Sequence, residues 1–432
     1  MIGSLSQPGT IEAESAPSHT RVVRLAGRYG LAAVGPFAIS GAHFLASFVF
    51  LRTLAPAEFG LFSFLLVIVP FSLSASGALF GASLGATLNL WPKVDGPELD
   101  THLKANLVYS ALAAFAVAAA LFVSGAGLAL ALLLGAYGGL MALRWFARCL
   151  AYVLERPLRA ALSDLVYSAF LIAGLFALLA LHDLSIASGA VVLLASAAIS
   201  LAFFGVDYLK RQLWPKGRGS LAAYAPIWRT LTRWSLMGVV LTEVTVNAHA
   251  YLVTFFAGPK AFALLAIGGL LMRPVSLALT ALPDRERASL ARAIAAGNTV
   301  RAFQTVKEFR TAIGAIWLAT VLLAGAILMW FPGLLLKKGY SLHDVLIVGA
   351  ISAAIVAVRA FRTPESVMLQ AAGAFKPLAN AGIAASILSV ASVLGLLVVA
   401  GPVASLGGIL LGDALMAART QGLARQWSRA HG

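Results

Sequence analysis

Apolar runs about twenty residues long follow one another along the chain, the length a helix needs to cross hydrocarbon, and they leave few folds open. Hydrocarbon offers no partner to a bare N–H or C=O, so each run is read as a helix that satisfies its own backbone. Spans are expected near 29–51, 60–84, 105–124, 127–147, 161–181 and 185–206. After a polar break they resume near 235–256, 260–282, 311–331, 343–362, 378–400 and 403–420. The expected fold is therefore an all-α polytopic membrane protein with about 12 transmembrane helices. Composition agrees, since 11% of residues are charged, against about 25% in soluble domains. Residues 1–28 lack the ordering of a cleavable signal peptide and are read as a cytoplasmic tail. The single cysteine, Cys149, excludes an intrachain disulfide and offers no metal site.

A net charge of +15 would suggest nucleic acid for a soluble chain. Here its placement gives another answer. With the N-terminus in the cytoplasm, only Arg52, Lys260, Lys337 and Lys338 of the 32 Lys and Arg residues fall on the outer side. That bias places both termini in the cytoplasm, and the surplus charge serves topology and attraction to anionic headgroups. No nucleic-acid partner is expected. The outer loops are short, as at Ser124–Gly127 and Gly258–Lys260, so no extracytoplasmic domain exists to house a large catalytic site. The inner loop Asp284–Arg310 carries Leu290, Ile294, Phe303 and Val306 among charges, which predicts an amphipathic helix lying on the inner surface. No Gly-rich nucleotide loop, HExxH motif or Ser/His/Asp arrangement stands out.

Two short matches suggest a duplication. Pro56-Ala-Glu-Phe59 opens the second span and Pro259-Lys-Ala-Phe262 the eighth; Arg156-Pro157-Leu158 opens the fifth and Lys376-Pro377-Leu378 the eleventh. They fit two six-helix lobes related by a pseudo-two-fold axis along the membrane normal, as in some transporters. The expected units are an N-lobe at 29–210, a cytoplasmic linker at 211–234, a C-lobe at 235–420 and a cytoplasmic tail at 421–432.

Arg273 interrupts the eighth span, where a cation costs about 2.5–3.5 kcal/mol on insertion scales and so faces a partner or a watery cavity. Gly269, Ser276 and Thr280 share its helical face. Its guanidinium suits phosphate oxygens; the alternative is snorkelling to the inner headgroups. Glu243, with Asn247 one turn on, is read as the one carboxylate deep in a span and as the partner of Arg273, either in substrate contact or as a helix-to-helix bond. His249 lies further along on another face, and His43 shares a face with Ser40 and Ser47, as a packing residue or a relay. Arg359 and Arg362 at the end of the tenth span, with Arg144 and Arg148 at the end of the fourth, are read as plain anchors or an inner basic vestibule. Asp413 has no assigned role.

The stretch LRTLAPAEFGLFSFLLVIVPFSLSASGALF (51–80), with its Glu58-Phe59-Gly60 turn, resembles the opening of the second helix in polysaccharide-unit (O-antigen) flippases. MLQAAGAFKPLANAGIAASILSVASVLGLLVVAGPVASLGGILLGDALMA (368–417) resembles that family's last two helices. The family belongs to the multidrug/oligosaccharidyl-lipid/polysaccharide exporter superfamily. The resemblance implies a non-enzymatic transporter exporting undecaprenyl-pyrophosphate-linked oligosaccharide across a bacterial inner membrane. Such a cargo needs a polar, cationic cavity between the lobes, for which the polar residues Arg273, Glu243, Asn247, His249, His43, Arg359 and Arg362 are the candidate contacts. The sequence departs from the family at His249, near which an acid is often found, and at Ala263, which replaces a glycine. No cofactor is expected; coupling to a proton or sodium ion stays open. The expected partners are the lipid-linked oligosaccharide, membrane lipids and polysaccharide polymerase or export machinery. The alternatives are a drug/cation antiporter of the same fold and a membrane glycan ligase or polymerase.

Overall fold

The computed structural model describes residues 18–81, 83–84, 97–215, 219–335 and 339–431, and every regular element among them is helical. In chain order the main helices are α1 (Ser18–Thr53), α2 (Pro56–Ser76, prolonged by a π turn at Gly77–Gly81), α3 (Pro97–Val123), α4 (Leu128–Val153) and α5 (Pro157–Ala180). Then come α6 (Ile186–Ala202), α7 (Val206–Leu213), α8 (Arg233–Ala257), α9 (Pro259–Leu271) and α10 (Arg273–Ala295). The last are α11 (Thr299–Trp330), α12 (Leu342–Ala371), α13 (Phe375–Ala400) and α14 (Pro402–His431). Among the described residues 9 helices are long and apolar enough to cross a membrane, or up to 12 if each sharply bent pair forms one span. The chain is a multi-pass membrane protein.

Proline and glycine set the helix ends. Pro56, Pro157 and Pro259 each open a helix, where the missing N–H has no intrahelical acceptor to lose. Gly258 and Gly401, both at φ 85°, each join two helices through a single left-handed residue, a conformation that costs other side chains a steric penalty.

Contacts run mainly within residues 18–213 and within residues 233–431. The two groups meet tightly where α2 crosses α9. Gly60 of α2 lies so close to the carbonyl of Pro259 that a side-chain carbon there would overlap it. One turn on, the Phe64 ring stands edge-on to Tyr251, Phe255 and Phe262, with centroids 5.7, 5.7 and 6.2 Å away. The helices that the two matched sequence segments open thus pack against each other. Gly60→Val is expected to overpack this crossing and destabilise the fold by about 1–3 kcal/mol, read as a lowered thermal midpoint of the detergent-purified protein.

Two sequence readings change here. Residues 284–310 do not form a helix lying on the membrane surface. They form a helical hairpin in which α10 and α11 turn at Gly297-Asn298, with the Asn298 side chain accepting from the Arg301 N–H at 2.9 Å. Leu290, Val306 and Phe309 are buried against Val367, Met368 and Leu378, because α12 runs on past its expected end and offers a protein surface to cover that apolar stripe. The tail expected at 1–28 is helical from Ser18 as part of α1, while residues 1–17 lie outside the described residues. The polar stretch after α6 docks onto α3, through Arg211 on Asp100 at 2.9 Å and Gln212 on Asn106 at 3.0 Å.

Candidate functional site

The eighth span is not a straight helix with Arg273 at its middle. It breaks at Met272 (φ −90°, ψ 8°), and α9 and α10 meet there at 63°. The cause is Pro274, which has no N–H for the carbonyl of Leu270 and whose ring crowds that oxygen. Arg273 therefore stands at a bend, as the first residue of α10.

That bend forms part of the wall of a cavity of about 420 Å³. From the first group of helices come His43 and Ser47 of α1 and Phe59, Ser63 and Pro70 of α2. From the second come Asn247 and His249 of α8, Gly269, Arg273 and Ser276 of α9 and α10, and Arg359 of α12. Five of the seven side chains singled out in the sequence, Arg273, Asn247, His249, His43 and Arg359, thus share one space. Of the face expected around Arg273, Gly269 and Ser276 line it; Thr280 lies outside. No Asp or Glu is among the lining residues.

Arg273 has no carboxylate within ion-pair distance among the described residues, and it is half-buried. His249 Nδ1 is buried with no hydrogen-bond partner among those residues, while the ring lies 6.4 Å from that of Phe262. His43 is anchored: its Nε2 is 2.7 Å from the Tyr167 hydroxyl, which lies 2.8 Å from that of Tyr137. Its packing role and its place on the cavity wall coexist.

Glu243 and Arg362 fall outside the wall. Glu243 accepts the Tyr251 hydroxyl at 2.7 Å and does not pair with Arg273, so the expected Glu243–Arg273 bridge is absent. The bend within α8 lets a side chain eight residues away reach it. Arg362 Nη2 lies 3.3 Å from Asp413 Oδ1, and Arg359 Nε lies 2.6 Å from Asp413 Oδ2. One carboxylate on α14 thus pairs with both cations, which leaves a net positive charge beside the cavity wall to which Arg359 belongs.

Arg144 and Arg148 do not form a vestibule. Both turn inward onto Asp164 of α5, Arg144 through Oδ1 and Arg148 Nε through Oδ2 at 3.0 Å, and Asp164 is fully buried. Arg144 also lies 5.0 Å above the Tyr167 ring. Gly35 of α1 clears room for that carboxylate, where any side-chain carbon would collide with it. Glu243 is accordingly not the lone acid in the spans: Asp164, Asp413 and Glu365, the last bonded to Arg310, are all buried. A signal for two of them was present, since Asp164 and Asp413 fall within the expected spans 161–181 and 403–420, where an acid needs a partner.

The helix arrangement is similar to that of solved transporters. An inward-facing multidrug resistance MATE family transporter of the MOP superfamily matches 93% of this chain and 98% of its own, with TM-score 0.66 at 14% identity. The chain carries the fold of these transporters. The lipid II flippase MurJ, in an inward closed conformation, matches 91% of this chain and 87% of its own, with TM-score 0.70 at 12% identity. A MOP superfamily transporter from Pyrococcus furiosus Vc1, described as having a binding pocket of reverse polarity that suggests a different function, matches 93% and 94% at TM-score 0.55 and 16% identity. No protein-family model and no curated protein sequence matches the chain.

Chemically, a guanidinium with no ion-pair partner among the described residues, a second that shares one carboxylate with Arg362, two imidazoles and an amide suit a phosphorylated or otherwise anionic, hydroxylated ligand.

Proposed function

We propose that this chain is a flippase for lipid-linked oligosaccharide, moving undecaprenyl-pyrophosphate-borne units across a bacterial inner membrane by alternating exposure of its central cavity. Pyrophosphate and sugars lose their hydration in hydrocarbon, whereas the polyprenyl tail is at home there. The protein's task is a polar passage for the head alone. The observation that carries the reading is the sign of the cavity: among the described residues Arg273 has no ion-pair partner, Arg359 stands in the wall and no acid lines it. Its volume, about 420 Å³, lies within the usual range of small-ligand sites, about 300–1,000 Å³. In this reading it takes the pyrophosphate and the first sugars, with lobes 29–210 and 235–420 rocking about the α2–α9 crossing. The lipid II flippase among the similar folds moves a lipid-borne cargo by its name, which adds support by analogy alone.

The test is a proteoliposome assay with a fluorescent undecaprenyl-pyrophosphate oligosaccharide on one leaflet, read by its accessibility to a membrane-impermeant reagent. Protein-dependent exposure of the glycan on the other leaflet is expected. No exposure, together with movement of a cationic dye, would overturn the proposal.

The second reading, a drug/cation antiporter, rests on the several MATE transporters of similar fold. A cationic drug wants a carboxylate in its site; Asp413 is held by Arg359 and Arg362, and Glu243 is occupied by Tyr251. Cells overexpressing the protein are expected to show unchanged dye efflux, and Glu243→Gln to leave both efflux and polysaccharide output within about twofold, since glutamine still accepts from Tyr251. Dye efflux that depends on Glu243 would favour the antiporter.

A further inference from the structure

A second cavity, of about 680 Å³, lies away from the central one and shares no lining residue with it. It sits where α3, α4 and the α6–α7 corner meet, at the basic end of the helices. Gly205 (φ 105°) turns the chain there, so that α7 leaves α6 at 111° and runs across the bundle instead of along it. Val206, Leu213 and Trp214, at 64%, 48% and 72% exposure, present an apolar side on and beside α7, while Lys210 and Arg211 supply charge. A short amphipathic helix ending in tryptophan is the pattern of a segment lying at headgroup depth.

The cavity at that depth is two-natured. Leu99, Leu103, Leu150 and Leu154 give it an apolar floor, and Arg156, Arg159 and Arg211 stand on its rim with Asp207. Arg211 is already held by Asp100 at 2.9 Å. Arg159 donates from Nη1 to the Phe204 carbonyl at 3.3 Å, which leaves its other N–H groups free. Neither Arg156 nor Arg159 has a carboxylate partner among the described residues. Two uncompensated guanidiniums against one carboxylate leave a single positive charge, which a phosphodiester neutralises.

We infer that this cavity is a binding site for one anionic phospholipid, its phosphate between Arg156 and Arg159 and its acyl chains along the leucine floor. The inference is independent of the cargo in the central cavity, because Arg273 plays no part in it. The bound lipid clamps α3, α4 and the α6–α7 corner together at the membrane boundary.

The test uses the full chain reconstituted in nanodiscs of phosphatidylcholine containing phosphatidylglycerol, phosphatidylethanolamine or neither, read by thermal unfolding and by native mass spectrometry of retained lipid. Phosphatidylglycerol is expected to raise the midpoint above both other compositions and to stay bound as one molecule per chain. The double variant R156Q/R159Q is expected to lose that retention and that shift while matching wild type in phosphatidylcholine alone. Should the double variant fold poorly, the single variant R156Q and the wild-type lipid comparison give the same reading. Equal stabilisation by all three compositions, preferential retention of phosphatidylethanolamine, or an equal shift from inorganic phosphate in phosphatidylcholine discs would each overturn the inference. So would undiminished retention of phosphatidylglycerol by R156Q/R159Q.

Discussion

Cells carrying Arg273→Ala in place of the wild-type chain are expected to lose surface polysaccharide almost completely while keeping normal amounts of the protein in the membrane. The separation of the two effects is what the geometry demands. Arg273 makes no ion pair among the described residues, so its removal breaks no bridge and leaves no orphaned acid. Its cost in the absence of cargo is the desolvation of a lone cation, and alanine relieves that cost. On the proposed function, what is lost appears only with an anion in the cavity, where a guanidinium–phosphate bond contributes about 1.5–3 kcal/mol each time it forms. Arg273→Lys keeps the charge but not the planar fork, and polysaccharide output is expected to fall between wild type and alanine. Immunoblots of membranes beside polysaccharide gels check both points. Full output from Arg273→Ala would remove this residue from the cargo site.

The second large effect falls on stability. Asp164→Ala is expected to destabilise the protein by about 3–5 kcal/mol, because it strands two buried guanidiniums, those of Arg144 and Arg148, in low dielectric. Thermal unfolding of the purified protein and its steady-state abundance would both fall. The distinguishing result is the triple change Asp164→Leu, Arg144→Met and Arg148→Met, which removes all three charges together. It is expected to recover most of the loss, since the energy at stake is the unpaired charge and not the pair itself. Failure of the triple variant to recover would mean that the network's hydrogen bonds, including the Arg144 contact to Ser163 at 3.1 Å, dominate instead.

The helical fold was plain from the sequence because bilayer thickness writes itself into run length, and proline and glycine mark the ends: Pro56, Pro157, Gly258 and Gly401 all stand where helices begin or stop. Part of the cavity lining could be picked out for a similar reason, while Glu243 and Arg362, picked out with it, lie outside the wall. Polar side chains at Asn247, His249 and Arg273 have few other uses inside apolar spans. The pairing of charges was not legible. Whether Glu243 meets Arg273 or Tyr251 depends on rotation and bending of helices, and run length carries no information on either. The docking of Leu290 and Phe309 against α12 escaped as well, because an amphipathic stripe fits a membrane surface and a neighbouring helix equally well.

The break at Met272 has one more result. A helix that restarts at Arg273 sets the positive end of its peptide dipoles against the negative end of α9, so the two partial charges, each about half an elementary charge, largely offset at the break. Met272, Arg273 and Ser276 all line the cavity, so the break itself lies in its wall. Pro274 thus sets where the span turns, and with it where the guanidinium enters the passage. Giving position 274 back an N–H would let the helical ladder run through and move Arg273 relative to the cavity without changing its charge.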